Sequence, residues 1–247
     1  YLIVGKVFSG EVLGIYTLAY RIVSDPVRAL AAIVNQVAYP AFARLQDQLE
    51  RLRLYFFTVA RISMTLIGTL FMILVVYLDQ VLLLFDYHEW MNAVPLVYVF
   101  AFLGLIRSVA PLVPQLLNAV GRARLNFFYS LSCSVLMPIA FLVGSAFSIT
   151  GVAVAWLVAY PIVVMILFYF GSRALQMWLP GFVIKSMAGL TVVVPVALCG
   201  LGLRLLFQNV LGAGTAVVVT AGITGTLLLG LAVAYLRERA TIKRVLS

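Results

Sequence analysis

The chain has 247 residues, of which 64% are hydrophobic and 10% charged, and a formal net charge of +9. Soluble domains hold roughly 45–50% apolar and 25% charged residues. This composition, with a mean hydropathy of +1.14, excludes an ordinary soluble domain and marks an all-α polytopic membrane protein. The basic residues lie in short stretches between apolar runs, as the positive-inside rule describes, so the charge does not point to nucleic acid.

In chain order, Tyr1–Phe8 is apolar but too short to cross, since a span needs about 20 residues. It reads as the tail of a helix that begins upstream, and the sequence then reads as the C-terminal half of a larger transporter. Seven longer runs are predicted to span: 14–42, 54–78, 93–119, 126–144, 149–170, 183–206 and 212–236. The breaks between them are short and polar or marked by Gly and Pro. Alternate breaks carry Arg44, Arg51, Arg53, Arg122, Arg124, Arg173, Lys185 and the tail residues Arg237, Arg239, Lys243 and Arg244. The opposite side has almost none, with Arg204 the nearest exception. The asymmetry puts the basic side and the C-terminus in the cytoplasm.

The first full run carries the sharpest signal. At about 100° per residue, Arg21, Asp25, Arg28 and Asn35 fall in a stripe roughly 80° wide. Each charge near a bilayer centre costs roughly 2.5–3.5 kcal/mol. Such a stripe is expected to face other helices or a wet cavity. Arg21 and Asp25 are one turn apart and are expected to pair, leaving one positive charge over. One reading is an ion pair that locks the helix to a neighbour. The other is a phosphate-binding wall, because guanidinium presents forked donors that match phosphate oxygens. Pro26 beside these charges is expected to bend the helix, either as a static bend or as a moving one.

The third run repeats the pattern: Arg107, Pro111, Gln115 and Asn118 share one side of a helix over 93–119. Arg107 has no acidic residue within reach on its own helix, so it needs a partner elsewhere or a ligand. If both helices border one cavity, Arg21, Arg28 and Arg107 make a three-cation site that one diphosphate could bridge. Arg61 reads as a structural cation that snorkels to the headgroups. Arg44, Arg51 and Arg53 read as a topology signal or a surface touching anionic lipid. Gly200, Gly202, Gly222 and Gly225 permit close packing of the last two runs. Cys133 and Cys199 read as small buried residues. The only histidine, His88, lies in a loop, so no metal and no cofactor is expected. No nucleophile set, phosphate loop or acid pair is present, so an enzyme is not expected.

The stretch Leu13-Gly14-Ile15-Tyr16-Thr17-Leu18-Ala19-Tyr20-Arg21 resembles a segment of bacterial polysaccharide and O-antigen flippases. So do the run from Tyr39-Pro40 to Gln46-Asp47, the Trp90 and Ala93-Val94-Pro95-Leu96 stretch, and Asn118-Ala119-Val120-Gly121-Arg122. The similarity covers most of residues 1–170. These flippases belong to the multidrug, oligosaccharidyl-lipid and polysaccharide exporter superfamily. The resemblance implies a fourteen-helix fold around a cationic cavity, with residues 1–170 in the C-terminal transport lobe and 171–247 forming two additional helices and a cytoplasmic tail. It implies flipping of undecaprenyl-diphosphate-linked oligosaccharide across the cytoplasmic membrane by alternating access. The implied partners are that lipid-linked oligosaccharide, membrane lipids, an N-terminal lobe of the same protein and a polysaccharide polymerase. Arg21 carries over as a headgroup contact, while Asp25, Arg28, Arg107, Gln115 and Asn118 are added from helix geometry. A small-molecule exporter of the same superfamily and a non-transporting assembly subunit remain alternatives.

Overall fold

The computed structural model describes residues 10–147, 149–210 and 214–246, and among these there is no strand. The helices are α1 (Gly10–Arg44), α2 (Leu49–Leu84), α3 (Val94–Arg107), α4 (Leu112–Ala119), α5 (Ala123–Ser145), α6 (Ile149–Ala174), α7 (Leu179–Ser186), α8 (Leu190–Leu205) and α9 (Thr215–Leu246). A short 3₁₀ turn, His88–Ala93, precedes α3, and a π-helical turn, Leu206–Val210, follows α8. The expected helix tail at Tyr1–Phe8 lies outside the described residues, as do the side chains of Asn35, Arg237, Arg239, Lys243 and Arg244.

Among the described residues six helices or helix pairs are long and apolar enough to cross a membrane, against the seven runs expected. The difference is α1. It is one 35-residue helix, about 52 Å long at 1.5 Å per residue, but its charges and polar residues lower its hydropathy below that of the other six. Pro26 and Pro40 lie inside it without interrupting it.

Two spans expected as single helices are broken. Val94–Ala119 is α3 and α4, parted at Ser108–Pro111. Pro111 and Pro114 have no N–H to give to the carbonyls of Arg107 and Ala110, so the α-helical ladder cannot continue there. Tighter bonds replace it, among them Val109 N–H to Ile106 O and Leu112 N–H to Val109 O. The span Leu179–Asn209 is α7 and α8, parted at Met187–Gly189.

Helix α2 is the axis of the bundle. One side packs against α1 and α3, the other against α8 and α9. Close approach to α9 needs small residues: a Cβ on Gly222 would lie 2.5 Å from the Tyr77 ring, and one on Gly230 would lie 2.6 Å from the Thr69 methyl. These contacts make α9 antiparallel to α2. A Cβ on Gly200 would lie 3.0 Å from Thr226, a looser contact, whereas Gly202 faces open space. Phe56 of α2 stacks on Phe182 of α7, which also meets Phe168 of α6. The unit boundary drawn from the sequence at 170/171 falls inside α6, which runs to Ala174.

Three helices end in a left-handed residue with paired closing bonds. For α4 this is Gly121 (φ 73°), with Arg122 N–H to Leu117 O at 2.7 Å. For α2 and α6 it is Asp86 (φ 57°) and Gln176 (φ 50°). These are Schellman closures, which satisfy carbonyls that a helix end would otherwise leave bare.

Arg53, Arg122, Arg173 and Lys185 gather at one end of the bundle. Arg53 donates to the carbonyls of Leu175 and Gln176, each at 2.8 Å, and Arg122 donates to the carbonyl of Arg173 at 3.0 Å. Arg204, the exception noted in the sequence, sits at the other end and is neutralised there. Its guanidinium makes a forked pair with Asp79, at 3.0 and 2.6 Å. Both cysteines are free; Cys133 is half-buried, but Cys199 is exposed on α8 rather than buried as expected.

Candidate functional site

Helix α1 has two faces. Tyr16, Ala19, Val23, Ser24 and Val27 are buried against the bundle. Arg21, Asp25 and Arg28 are exposed on the adjoining face. The charged stripe is therefore present, but it does not point into this bundle. Asp25 pairs with Arg28, not with Arg21 as the spacing suggested. The helix dipole favours an acid placed N-terminal to its basic partner, which is the order of Asp25 and Arg28 and the reverse of Arg21 and Asp25. Among the described residues Arg21 has no acidic partner.

Arg107 reaches α1 from the bundle side. It is the last residue of α3, immediately before the break, where a cation also meets the negative end of the helix dipole. Its guanidinium donates to Ser24 Oγ at 3.1 Å and to Tyr20 Oη at 3.3 Å. It also lies 5.5 Å from the centre of the Tyr20 ring, 5.6 Å from that of Trp156 and 5.8 Å from that of Tyr160. Each such cation–π contact is worth about 0.5–1 kcal/mol, and about 2 when desolvated. Three of them offset most of the roughly 2.5–3.5 kcal/mol that an arginine costs inside a bilayer. The rings are fixed in turn. Trp156 Nε1 donates to Tyr16 Oη at 2.9 Å, and Phe100 meets Tyr20 edge-on at 5.7 Å.

Among the described residues no carboxylate lies within ion-pair distance of Arg107. Its partners are neutral, so they orient the guanidinium without cancelling its charge. Two of its five N–H donors are used by Ser24 and Tyr20. The arrangement can hold a cation in one orientation while leaving its charge available. Arg21 and Arg28 stand on the next face of the same helix, with Tyr20 and Ser24 between them and Arg107.

Among the described residues no hydrogen bond joins Gln115 or Asn118 to Arg107. Gln115 is half-buried on α4. Asn118 lies at the far end of α4, where its Oδ1 accepts from Asn126 Nδ2 at 3.2 Å across the turn into α5. The shared side read from the sequence assumed one continuous helix, and the break at Ser108–Pro111 resets the register. Sequence reasoning missed Tyr20, Ser24, Trp156 and Tyr160. The signal was present in the spacing of Tyr16, Tyr20 and Ser24, and of Trp156 and Tyr160, each four apart on one helix face.

Among the described residues, six apolar spans and the charge-bearing α1 define a polytopic α-helical membrane protein with a cation fixed inside it. Residues 1–95 match the family described as polysaccharide biosynthesis protein. The chain is 30% identical over 184 residues to the teichuronic acid biosynthesis protein TuaB of Bacillus subtilis (strain 168), covering 74% of this chain and 36% of TuaB. It is 29% identical over 192 residues to the lipopolysaccharide biosynthesis protein WzxC of Escherichia coli (strain K12), covering 72% of this chain and 39% of WzxC. It is 29% identical over 140 residues to the amylovoran biosynthesis protein AmsL of Erwinia amylovora, covering 55% and 35%. On these matches the chain is similar to bacterial polysaccharide biosynthesis proteins. It spans little more than a third of the length of these relatives. No solved structure matches it significantly.

Proposed function

We propose that this protein flips undecaprenyl-diphosphate-linked oligosaccharide across the bacterial cytoplasmic membrane for polysaccharide synthesis, as a transporter and not an enzyme. The observation that carries the reading is Arg107, a cation inside a membrane span held by neutral groups. Beside it, α1 exposes Arg21 and the Arg28–Asp25 pair. Lipid cannot solvate that face, so it borders water or another polar surface. The diphosphate rests on the arginines, the sugar occupies the wet space, and the prenyl chain stays in lipid. Rocking of two lobes exchanges the open side. Asp25 and Asp79 are both ion-paired, which disfavours a cation exporter that needs unpaired acids. The end bearing Arg53, with the C-terminal end of α9, faces the cytoplasm by the positive-inside rule.

A charge-assisted hydrogen bond is worth about 1.5–3 kcal/mol, so losing one arginine should weaken cargo binding roughly tenfold or more. The test is polymer export in a strain that depends on the full-length protein. Arg107→Ala and Arg28→Ala should each reduce export while protein level and membrane insertion persist. Arg107→Lys should restore little, because an ammonium lacks the planar fork. Normal export in both alanine variants would refute the reading.

A further inference from the structure

A second cationic site lies away from Arg107, at the basic end of the bundle. There a cavity of about 370 Å³ opens between the first turns of α2, the end of α6, and α7. Its wall includes Glu50, Arg53, Phe57, Arg61, Met177 and Lys185, so three cations face one carboxylate. The volume falls within the about 300–1,000 Å³ of small-ligand sites.

The wall is built, not incidental. Gln176 takes its left-handed conformation at the end of α6, with Met177 N–H closing onto Ser172 O at 2.8 Å. That turn presents the carbonyls of Leu175 and Gln176 to Arg53, whose remaining arm binds Glu50 at 2.5 Å. Arg53 is thus spent on structure. Lys185 is not: its ammonium stands 5.8 Å from the centre of the Phe57 ring, and among the described residues no carboxylate pairs with it. Trp178, 79% exposed at the start of α7, marks the headgroup level that tryptophan favours in membranes. Phe57 and Met177 add apolar surface to the same wall. The combination is a pocket lined by cations and apolar side chains at headgroup depth.

We propose that this pocket binds the phosphate of an anionic phospholipid headgroup from the surrounding leaflet, with Lys185 as the principal contact. Basic pockets between membrane helices recognise such headgroups through charge and donor geometry together. The site is separate from Arg107, and its probe carries neither sugar nor prenyl chain, so its outcome is independent of the transport reading.

The test uses purified full-length protein in detergent with phosphatidylglycerol, phosphatidylcholine or inorganic phosphate, read by retained lipid in native mass spectrometry and by the thermal unfolding midpoint. Phosphatidylglycerol should remain bound and raise the midpoint, whereas phosphatidylcholine should do neither. Lys185→Glu should weaken phosphatidylglycerol binding roughly tenfold, and Lys185→Arg should keep it. Met177→Trp, which fills the cavity without changing charge, should also abolish it. Equal retention of both lipids, or unchanged binding in Lys185→Glu and Met177→Trp, would overturn the proposal. An equal midpoint shift with inorganic phosphate would overturn the lipid source and assign the pocket to a soluble phosphate.

Discussion

Tyr20 grips Arg107 in two ways. Its hydroxyl accepts from the guanidinium at 3.3 Å, and its ring centre lies 5.5 Å from the same group. The contact fastens α1 to the end of α3 at the point where that span breaks. It also separates two arginines of α1 from the one on α3, so the cations stand on adjacent faces instead of in one cluster.

The cage around Arg107 can be dissected by which part of each ring is removed. Trp156→Phe keeps an aromatic face and loses the bond from Nε1 to Tyr16; it should cost about 1 kcal/mol. Trp156→Ala also removes the ring from Arg107, Phe141 and Tyr160, and should cost about 3 kcal/mol. Denaturant unfolding in detergent would separate the two, and equal costs would show that the ring faces contribute nothing.

The Asp79–Arg204 pair is partly buried, with side chains 23% and 20% exposed. Removing one partner strands the other charge, so Asp79→Ala should destabilise by about 2–3 kcal/mol. Asp79→Ala with Arg204→Met should recover much of that loss, because the stranded cation is gone. A double variant as unstable as the single one would show that packing, not charge, sets the cost.

At the end of α4, Gly121 has φ 73°. Gly121→Ala should cost about 1–2 kcal/mol, the penalty of a side chain in the left-handed region. Gln176 holds a similar conformation (φ 50°), so Gln176→Gly should be neutral or stabilising. Thermal melts of the two variants should move in opposite directions or, for Gln176→Gly, not at all.

Helices α5 and α6 cross through two glycines. A Cβ on Gly144 would lie 2.5 Å from the carbonyl oxygen of Gly151, and one on Gly151 would lie 2.3 Å from that of Gly144. Backbone cannot give way as a side-chain tip can. Gly144→Val should therefore pry the pair apart, costing about 1–3 kcal/mol, and should lower the yield of folded protein in membranes. Ala146→Val, on an exposed position nearby, is the matched control and should leave the yield unchanged.

Much of the architecture was legible in the sequence because a bilayer imposes length and polarity on each span. The runs that became α2, α5 and α9 needed little else. The breaks within the third and sixth spans were less so. Pro111 and Pro114 account for the first once the structure is seen, but nothing in Met187-Ala188-Gly189 separates a helix break from a tolerated glycine. The stripe on α1 was visible as periodicity, yet periodicity gives a shared face and not the direction that face points. The choice of Arg28 over Arg21 by Asp25 turned on helix polarity, which spacing alone does not weigh. The ring cage was hidden for another reason: Tyr20, Arg107 and Trp156 come from three separate helices, and their meeting depends on tertiary packing.

Along α2, Arg53 and Asp79 are twenty-six residues apart, about 39 Å of helix. A bilayer measured across both headgroup layers is about 40–45 Å thick. One continuous rod thus carries a polar fastening near each surface, Arg53 to the carbonyls of Leu175 and Gln176 and Asp79 to Arg204. The rod works as a depth gauge: in a bilayer several ångströms thicker, one fastening would be drawn beneath the headgroups, so the protein should tilt or resist, and should sort toward membranes whose thickness matches its own.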